Sequence, residues 1–238
     1  MRQSNLYIIL YSAALTVVCG GLLAWASDGL KERQQANIEL EQKENILSTV
    51  MTLKEGDNIE QLYATRVKAY VIDYNGNIKE GLAPKDIVVA AEYKKPVEQR
   101  LLPVYELVSE SDPAKVESVV LPVFGFGLWD TIWGFVALQE DMNTIRGVKF
   151  QHKGETPGLG ARINSDDIQD RYKGKKVFEG DNLVSVMMMK GEGNDYSNEV
   201  HQVDGMSGAT LTGKGVNNML KDYLTCYQNF IRKKKSNS

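Results

Sequence analysis

The sequence predicts an α+β protein, with a single-pass N-terminal transmembrane helix followed by one mixed, mostly antiparallel domain. Three observations carry this. A charge-free apolar run opens the chain, short strand-forming runs between turn residues fill its middle, and a long amphipathic pattern closes it. The 238 residues are 42% hydrophobic and 25% charged with a formal net charge of −3, too apolar and too weakly charged for a disordered chain. Two cysteines exclude a disulfide scaffold or a four-thiolate metal site, and two histidines offer little metal chemistry. The balance of 28 basic against 31 acidic residues argues against a nucleic-acid partner.

Leu6 to Ala26 is a 21-residue stretch without a charge. As a helix it spans roughly 31 Å, the thickness of a bilayer's hydrocarbon core. Trp25 sits near one end, where membrane interfaces favour an aromatic ring. Ala24-Trp25-Ala26 has the form of a signal cleavage site, but the run exceeds a signal peptide's apolar region, so a retained anchor is expected. Lipidation at Cys19 is disfavoured by Val17 and Val18, where small residues belong. The reading is an anchor over residues 1–30, spanning about 6–26, and one domain over 31–238. The N-terminal flank carries Arg2 and the free amine with no acid, and the other flank carries Lys31 and Arg33 among Asp28 and Glu32, a small bias that favours a cytoplasmic N-terminus. The 31–238 domain would then lie outside the cytoplasm, periplasmic in a diderm bacterium.

Lys31 to about Leu53 reads as helix, with Ile38, Ile46, Leu47, Val50 and Met51 as a loose apolar stripe and Gly56-Asp57-Asn58 as its break. Tyr63 to Tyr74 reads as a strand ending in an Asn75-Gly76 hairpin turn. Short strands are expected over Pro103–Val108 and Ser118–Pro122, and longer ones over Thr131–Leu138 and Thr144–Gln151 around an Asp141-Met142-Asn143 turn. Ser165 to Lys173 reads as a short helix capped by Ser165. Leu183 to Lys190 reads as a strand whose three methionines fill core. In the last helix Val216, Met219, Leu220, Tyr223, Leu224, Tyr227, Phe230 and Ile231 keep helical spacing, and Thr212 stands where it could cap. Arg232 to Lys235 suit the helix's C-terminal dipole and read as a solvated tail.

Three small-residue segments stand out: Gly125-Phe126-Gly127-Leu128-Trp129-Asp130, Gly154-Glu155-Thr156-Pro157-Gly158-Leu159-Gly160, and Asp204-Gly205-Met206-Ser207-Gly208-Ala209-Thr210-Leu211-Thr212. The third precedes the strongest helix, so its free N–H groups and dipole suit a phosphate, against an unoccupied turn and cap. It is not a P-loop. Gly208 and Gly213-Lys214 match that motif, but Gly215 stands where a magnesium-holding hydroxyl belongs, and Asn198 to Val203 is too polar for the preceding strand.

Asp204-Gly205-x-Ser207-Gly208-Ala209-Thr210 resembles the signature of proteins that carry FMN covalently on threonine, and the Gly154–Gly160 segment resembles their second signature. Gly127-Leu128-Trp129, the anchor, the length and the segment order resemble the family of C subunits of sodium-translocating NADH:quinone oxidoreductases. The G subunit of the Rnf ferredoxin:NAD complex shares the anchor and flavinylation signature and is the alternative within that class. A membrane-anchored binding or assembly module without redox function is the alternative outside it.

The resemblance implies an electron-transfer subunit relaying electrons from NADH toward quinone, coupled to sodium export, inactive alone. Its FMN would be tied by a phosphoester to Thr210, with Ser207, Gly208 and Ala209 keeping the approach open. Leu159 would contact a ring face, Glu155 and Thr156 would offer polar contacts, and Gly158 and Gly160 would let backbone groups approach. Trp129 could border the ring, and Lys214 could neutralise the phosphate. For Trp129 a core or anchoring aromatic, and for Lys214 a solvated helix lysine, remain open. Asp204 and Gly205 belong to the part read by a flavin transferase, which uses FAD and magnesium. A turn-capping aspartate is the other reading of Asp204. Partners implied are other subunits of a membrane complex, that transferase, and lipid around the helix. No metal ligand and no residue acting directly in catalysis is expected.

Overall fold

The computed structural model describes residues 4–236, in two compact units that divide between Gln42 and Lys43. Arg2, on which the charge asymmetry rests, lies outside the described residues. The first unit is helical and belongs to α1 (Asn5–Ser48). This helix holds an 18-residue stretch of mean hydropathy 2.1, enough by length and composition to cross a membrane. The last turn of α1 belongs to the second unit. There Ile46 and Leu47 are buried, and Val50 follows them just past the helix end. Ile38 of the expected stripe is exposed.

The second unit is built on one five-stranded antiparallel meander in the order β1-β2-β3-β4-β5. The strands are β1 (Val67–Ile72), β2 (Leu102–Val108), β3 (Val116–Phe126), β4 (Thr131–Gln139) and β5 (Ile145–His152). Side-chain alternation divides the core into two layers. Leu102, Val104, Leu121, Val123, Val136 and Leu138 face one way, into the main cluster with the C-terminal helix. Tyr105, Leu107, Val120, Phe135 and Ala137 face the other way, onto Ile46, Leu47 and Val50. With both faces covered, every residue of β2 is buried.

Tyr63 to Arg66 do not open β1. They lie in α2 (Ile59–Arg66), because the Asn58 side chain caps the Gln61 N–H at 3.0 Å. Ile59, Leu62 and Tyr63, at helical spacing, then pack on the second core layer. The Asn75-Gly76 turn forms, with Gly76 at φ +75°. Its return strand shrinks to one bridge, Ile72 to Ile78, beside the full ladder that β1 makes with β2. A single helical turn, α3 (Val89–Glu92), precedes β2. β3 is longer than Ser118–Pro122 at both ends, since Val116 to Phe126 pair along β2 and β4. Gly125 is required there, as a Cβ would stand 2.8 Å from that of Met219.

The Ser165–Lys173 helix divides into a single turn, α4 (Asp166–Gln169), and a tighter turn over Asp170–Tyr172. Ser165 precedes α4 without capping it; its hydroxyl donates to Arg162 O. The Leu183–Lys190 strand is also broken. β6 (Phe178–Glu179) pairs with β7 (Asn182–Leu183), and β8 (Met187–Met188) pairs in parallel with β9 (Gln202–Val203). Between them Ser185 takes φ +69°. Of its three methionines only Met188 is buried.

The last helix, α5 (Thr210–Ser236), buries all eight residues that its spacing picked out. It starts two residues before Thr212, so Thr212 lies inside the first turn rather than capping it. Its basic end is a solvated tail only in part: Arg232 and Lys233 are exposed, whereas the two lysines after them pack on the domain. Lys234 pairs with the buried Glu106 carboxylate, which also accepts from Tyr70 Oη at 2.7 Å, and Lys235 lies 4.1 Å from the Phe178 ring centroid. Removing the ammonium strands a buried carboxylate. Lys234→Met should therefore lower stability by about 1–2 kcal/mol, because the lysine itself is part-exposed. A thermal midpoint equal to wild type would refute it.

Candidate functional site

The three small-residue segments meet at the start of α5. Gly127 to Asp130 form the β3–β4 turn, closed by the Gly127 N–H to Asp130 O at 2.9 Å. The Gly154–Gly160 loop follows β5 and folds on itself, with the Leu159 and Ala161 N–H groups both donating to Thr156 O at 3.1 Å. Met206 and Ala209 point into the core and hold the third segment from below, while Ser207 and Gly208 are exposed. Gly208 takes φ +72°, and a Cβ there would stand 2.8 Å from Leu159 Cδ2. Glycine thus serves both the turn and the close approach of the second and third segments.

Between the segments lies a cavity of about 220 Å³. Leu128, Trp129, Thr156, Leu159 and Leu211 give it largely apolar walls, and Gly208, Ala209 and Thr210 its small-residue side. Trp129 is 69% exposed, so it borders the opening rather than filling core. Thr210 is the first residue of α5, and the first intrahelical bond runs from the Gly213 N–H to Ala209 O. The N–H groups of Thr210, Leu211 and Thr212 therefore precede that ladder, where an anion is favoured. Apolar walls for a planar ring and a hydroxyl at an anion-favouring helix end fit a flavin phosphate.

Glu155 is the buried charge of this site, only 4% exposed. Its Oε2 accepts from Thr212 Oγ1 at 2.6 Å and its Oε1 from the Trp129 N–H at 2.9 Å. Burial alone would raise its pKa. The hydrogen bonds from Thr212 and from the Trp129, Leu128 and Asp130 N–H groups outweigh it and hold the carboxyl below the usual range. A Cβ on Gly127 or Gly160 would collide with this carboxylate. Glu155 thus ties all three segments, and both its oxygens are engaged by protein.

Trp129, Glu155, Thr156, Leu159, Gly160, Gly208, Ala209 and Thr210 share this one cavity. Gly158 takes φ +76° within the second loop but is not among the lining residues. Lys214 lines a separate depression with Ser185, Asn217 and Lys221. The Asp204 carboxylate turns inward, accepting from the Gly193 N–H at 2.7 Å and from Asn194 Nδ2 at 3.3 Å.

An ion-pair group under the third segment was not foreseen from sequence. Arg162 holds Glu192 through both nitrogens at 2.9 and 2.7 Å, and Arg171 adds a 3.1 Å contact. The one local signal was Gly191-Glu192-Gly193, whose glycines take φ +92° and +90°.

A family model of the FMN-binding domain matches residues 127–225. The C subunit of the Na(+)-translocating NADH-quinone reductase of Haemophilus ducreyi is 33% identical over 87% of this chain and 84% of its own. Its counterpart from Pseudomonas aeruginosa is 31% identical over 94% of this chain and 92% of its own. Among solved structures, the C subunit from Parabacteroides distasonis superposes with a TM-score of 0.73 at 32% identity, covering 85% of this chain and 96% of that one. NqrC of Shewanella oneidensis superposes with a TM-score of 0.72 at 27% identity, covering 82% and 97%.

Proposed function

This chain belongs to the family of C subunits of Na(+)-translocating NADH-quinone reductases, and from that premise we propose that Thr210 is the residue to which its FMN is covalently tied. The protein is an FMN-carrying electron-transfer subunit of that complex. When bound, FMN supplies the redox chemistry, and the protein supplies position and tuning.

One observation carries the assignment to Thr210. Its residue opens α5 on the wall of the cavity where the three segments meet. Trp129, Leu128 and Leu159 would flank the ring, Thr156 would offer a polar contact, and Gly208 and Ala209 would leave the phosphate room. Glu155 would act through its hydrogen bonds to the walls, and Lys214 would stand apart from the phosphate. A flavin transferase would install the group from FAD. Residues 6–26 would cross the membrane among lipid, with the N-terminus cytoplasmic and the 31–238 domain extracytoplasmic.

The test is in-gel fluorescence after denaturation, together with intact mass, on the full chain coproduced with a flavin transferase. Flavin fluorescence should survive denaturation, and the mass should rise by one FMN less one water. A chain that holds FMN but releases it on denaturation would refute the covalent link.

A further inference from the structure

We propose that Glu192, braced by Arg162 and Arg171, is a positioning residue that sets the Asp204–Ser207 backbone in the form a flavin transferase accepts. The inference rests on the assignment of the attachment site to Thr210.

The bracing contacts end on the backbone of the signature segment. Glu192 Oε2 accepts from the Ser207 N–H at 3.0 Å. Arg171 Nη1 donates to Gly205 O and, at 3.3 Å, to Asp204 O, and lies 3.6 Å from the Asp204 carboxylate. Gly205 packs so tightly on Met189 O and Gly191 O that a side chain there would collide with both. Residues 162, 171 and 192 thus fix a segment far from them in sequence, three residues before the hydroxyl to be modified. Hydrogen bonds from Arg162, from the Ser207 N–H and from Arg171 hold the Glu192 carboxyl far below the usual carboxylate range.

The step itself is a phosphoryl transfer. A bond forms between Thr210 Oγ and the FMN-side phosphorus of FAD, and the pyrophosphate P–O bond breaks. AMP leaves, and the hydroxyl proton passes to solvent. None of Glu192, Arg162 and Arg171 lines the Thr210 cavity. Their contribution is a segment already ordered before the transferase arrives, which spares the encounter the cost of ordering it.

The experiment uses the full chain in detergent with a flavin transferase, FAD and Mg²⁺, following adduct formation by intact mass over time. Backbone hydrogen exchange is measured on the unmodified chain. Glu192→Gln should slow modification by roughly tenfold or more. Exchange should quicken over residues 204–210 while the α5 core stays protected, a local change that general destabilisation would not give. Wild-type modification by Glu192→Gln, or unchanged local exchange, overturns the proposal. If Glu192→Gln does not fold, Arg171→Lys keeps the charge but loses the forked donors. The same slowing there supports the proposal, and a wild-type rate overturns it. Thr210→Ala, run in parallel, separates the two readings. An adduct that persists on it removes the Thr210 assignment and this proposal together, whereas loss there with a wild-type rate on Glu192→Gln removes the positioning role alone.

Discussion

Thr210→Ala should abolish the covalent flavin altogether, leaving an unmodified mass and no fluorescence after denaturation, while Thr210→Ser keeps both. The expectation is all-or-none because the other hydroxyls of the signature segment cannot take over. Thr212 is 1% exposed and its hydroxyl is committed to Glu155. Presenting it would require unwinding the first turn of α5 and stranding a buried carboxylate. Ser207 is exposed but lies three residues upstream, on the far side of the Gly208 turn. The substitution removes a part-exposed group at a helix start, so stability should move by no more than about 0.5 kcal/mol. A Thr210→Ala chain with wild-type circular dichroism and a full FMN adduct would refute the assignment.

The parts of the fold legible in the sequence were those where one local pattern met one burial pattern. The spacing of Val216 to Ile231 named the buried face of α5 residue by residue. The apolar runs at Thr131–Leu138 and Pro103–Val108 located β4 and β2 to within a residue. Tyr63 to Arg66 misled because strand-forming side chains lie downstream of a capping asparagine, and the cap with its packing partners decided the structure. Leu183 to Lys190 misled because Ser185 breaks the run with a left-handed backbone that no residue type announces.

The site divides in the same way. Its three segments were visible as small-residue motifs, because close approach leaves glycines in the sequence. The charges that organise them were not visible. Arg162, Arg171 and Glu192 look like ordinary surface residues until the fold brings them under Asp204 and Ser207. Glu155 was visible as a motif residue, but its protein partners were not. Its oxygens accept from the Trp129 N–H and the Thr212 hydroxyl, both distant in sequence.

That pairing makes Glu155 the residue whose removal should cost the fold most at this site. Glu155→Ala leaves the Trp129 N–H and the buried Thr212 hydroxyl without their acceptor, which should cost about 3 kcal/mol. For a domain of this size the thermal midpoint should drop by about 6–12 °C. The acid side gives a sharper test. Because the folded carboxyl is held below its unfolded value, the unfolded chain binds more protons as pH falls. The Glu155 contribution is then fully present above the ordinary glutamate pKa of about 4.3, and is lost as pH falls through the folded value. Glu155→Gln preserves the shape but cannot titrate. Its stability should fall less steeply with acid than that of wild type, so the two unfolding curves converge at low pH and separate toward neutrality. Parallel curves across that range would show that the carboxylate does not hold the turn, the loop and the helix together. Convergence would make its charge the fastening that keeps the Trp129 wall against the first turn of α5.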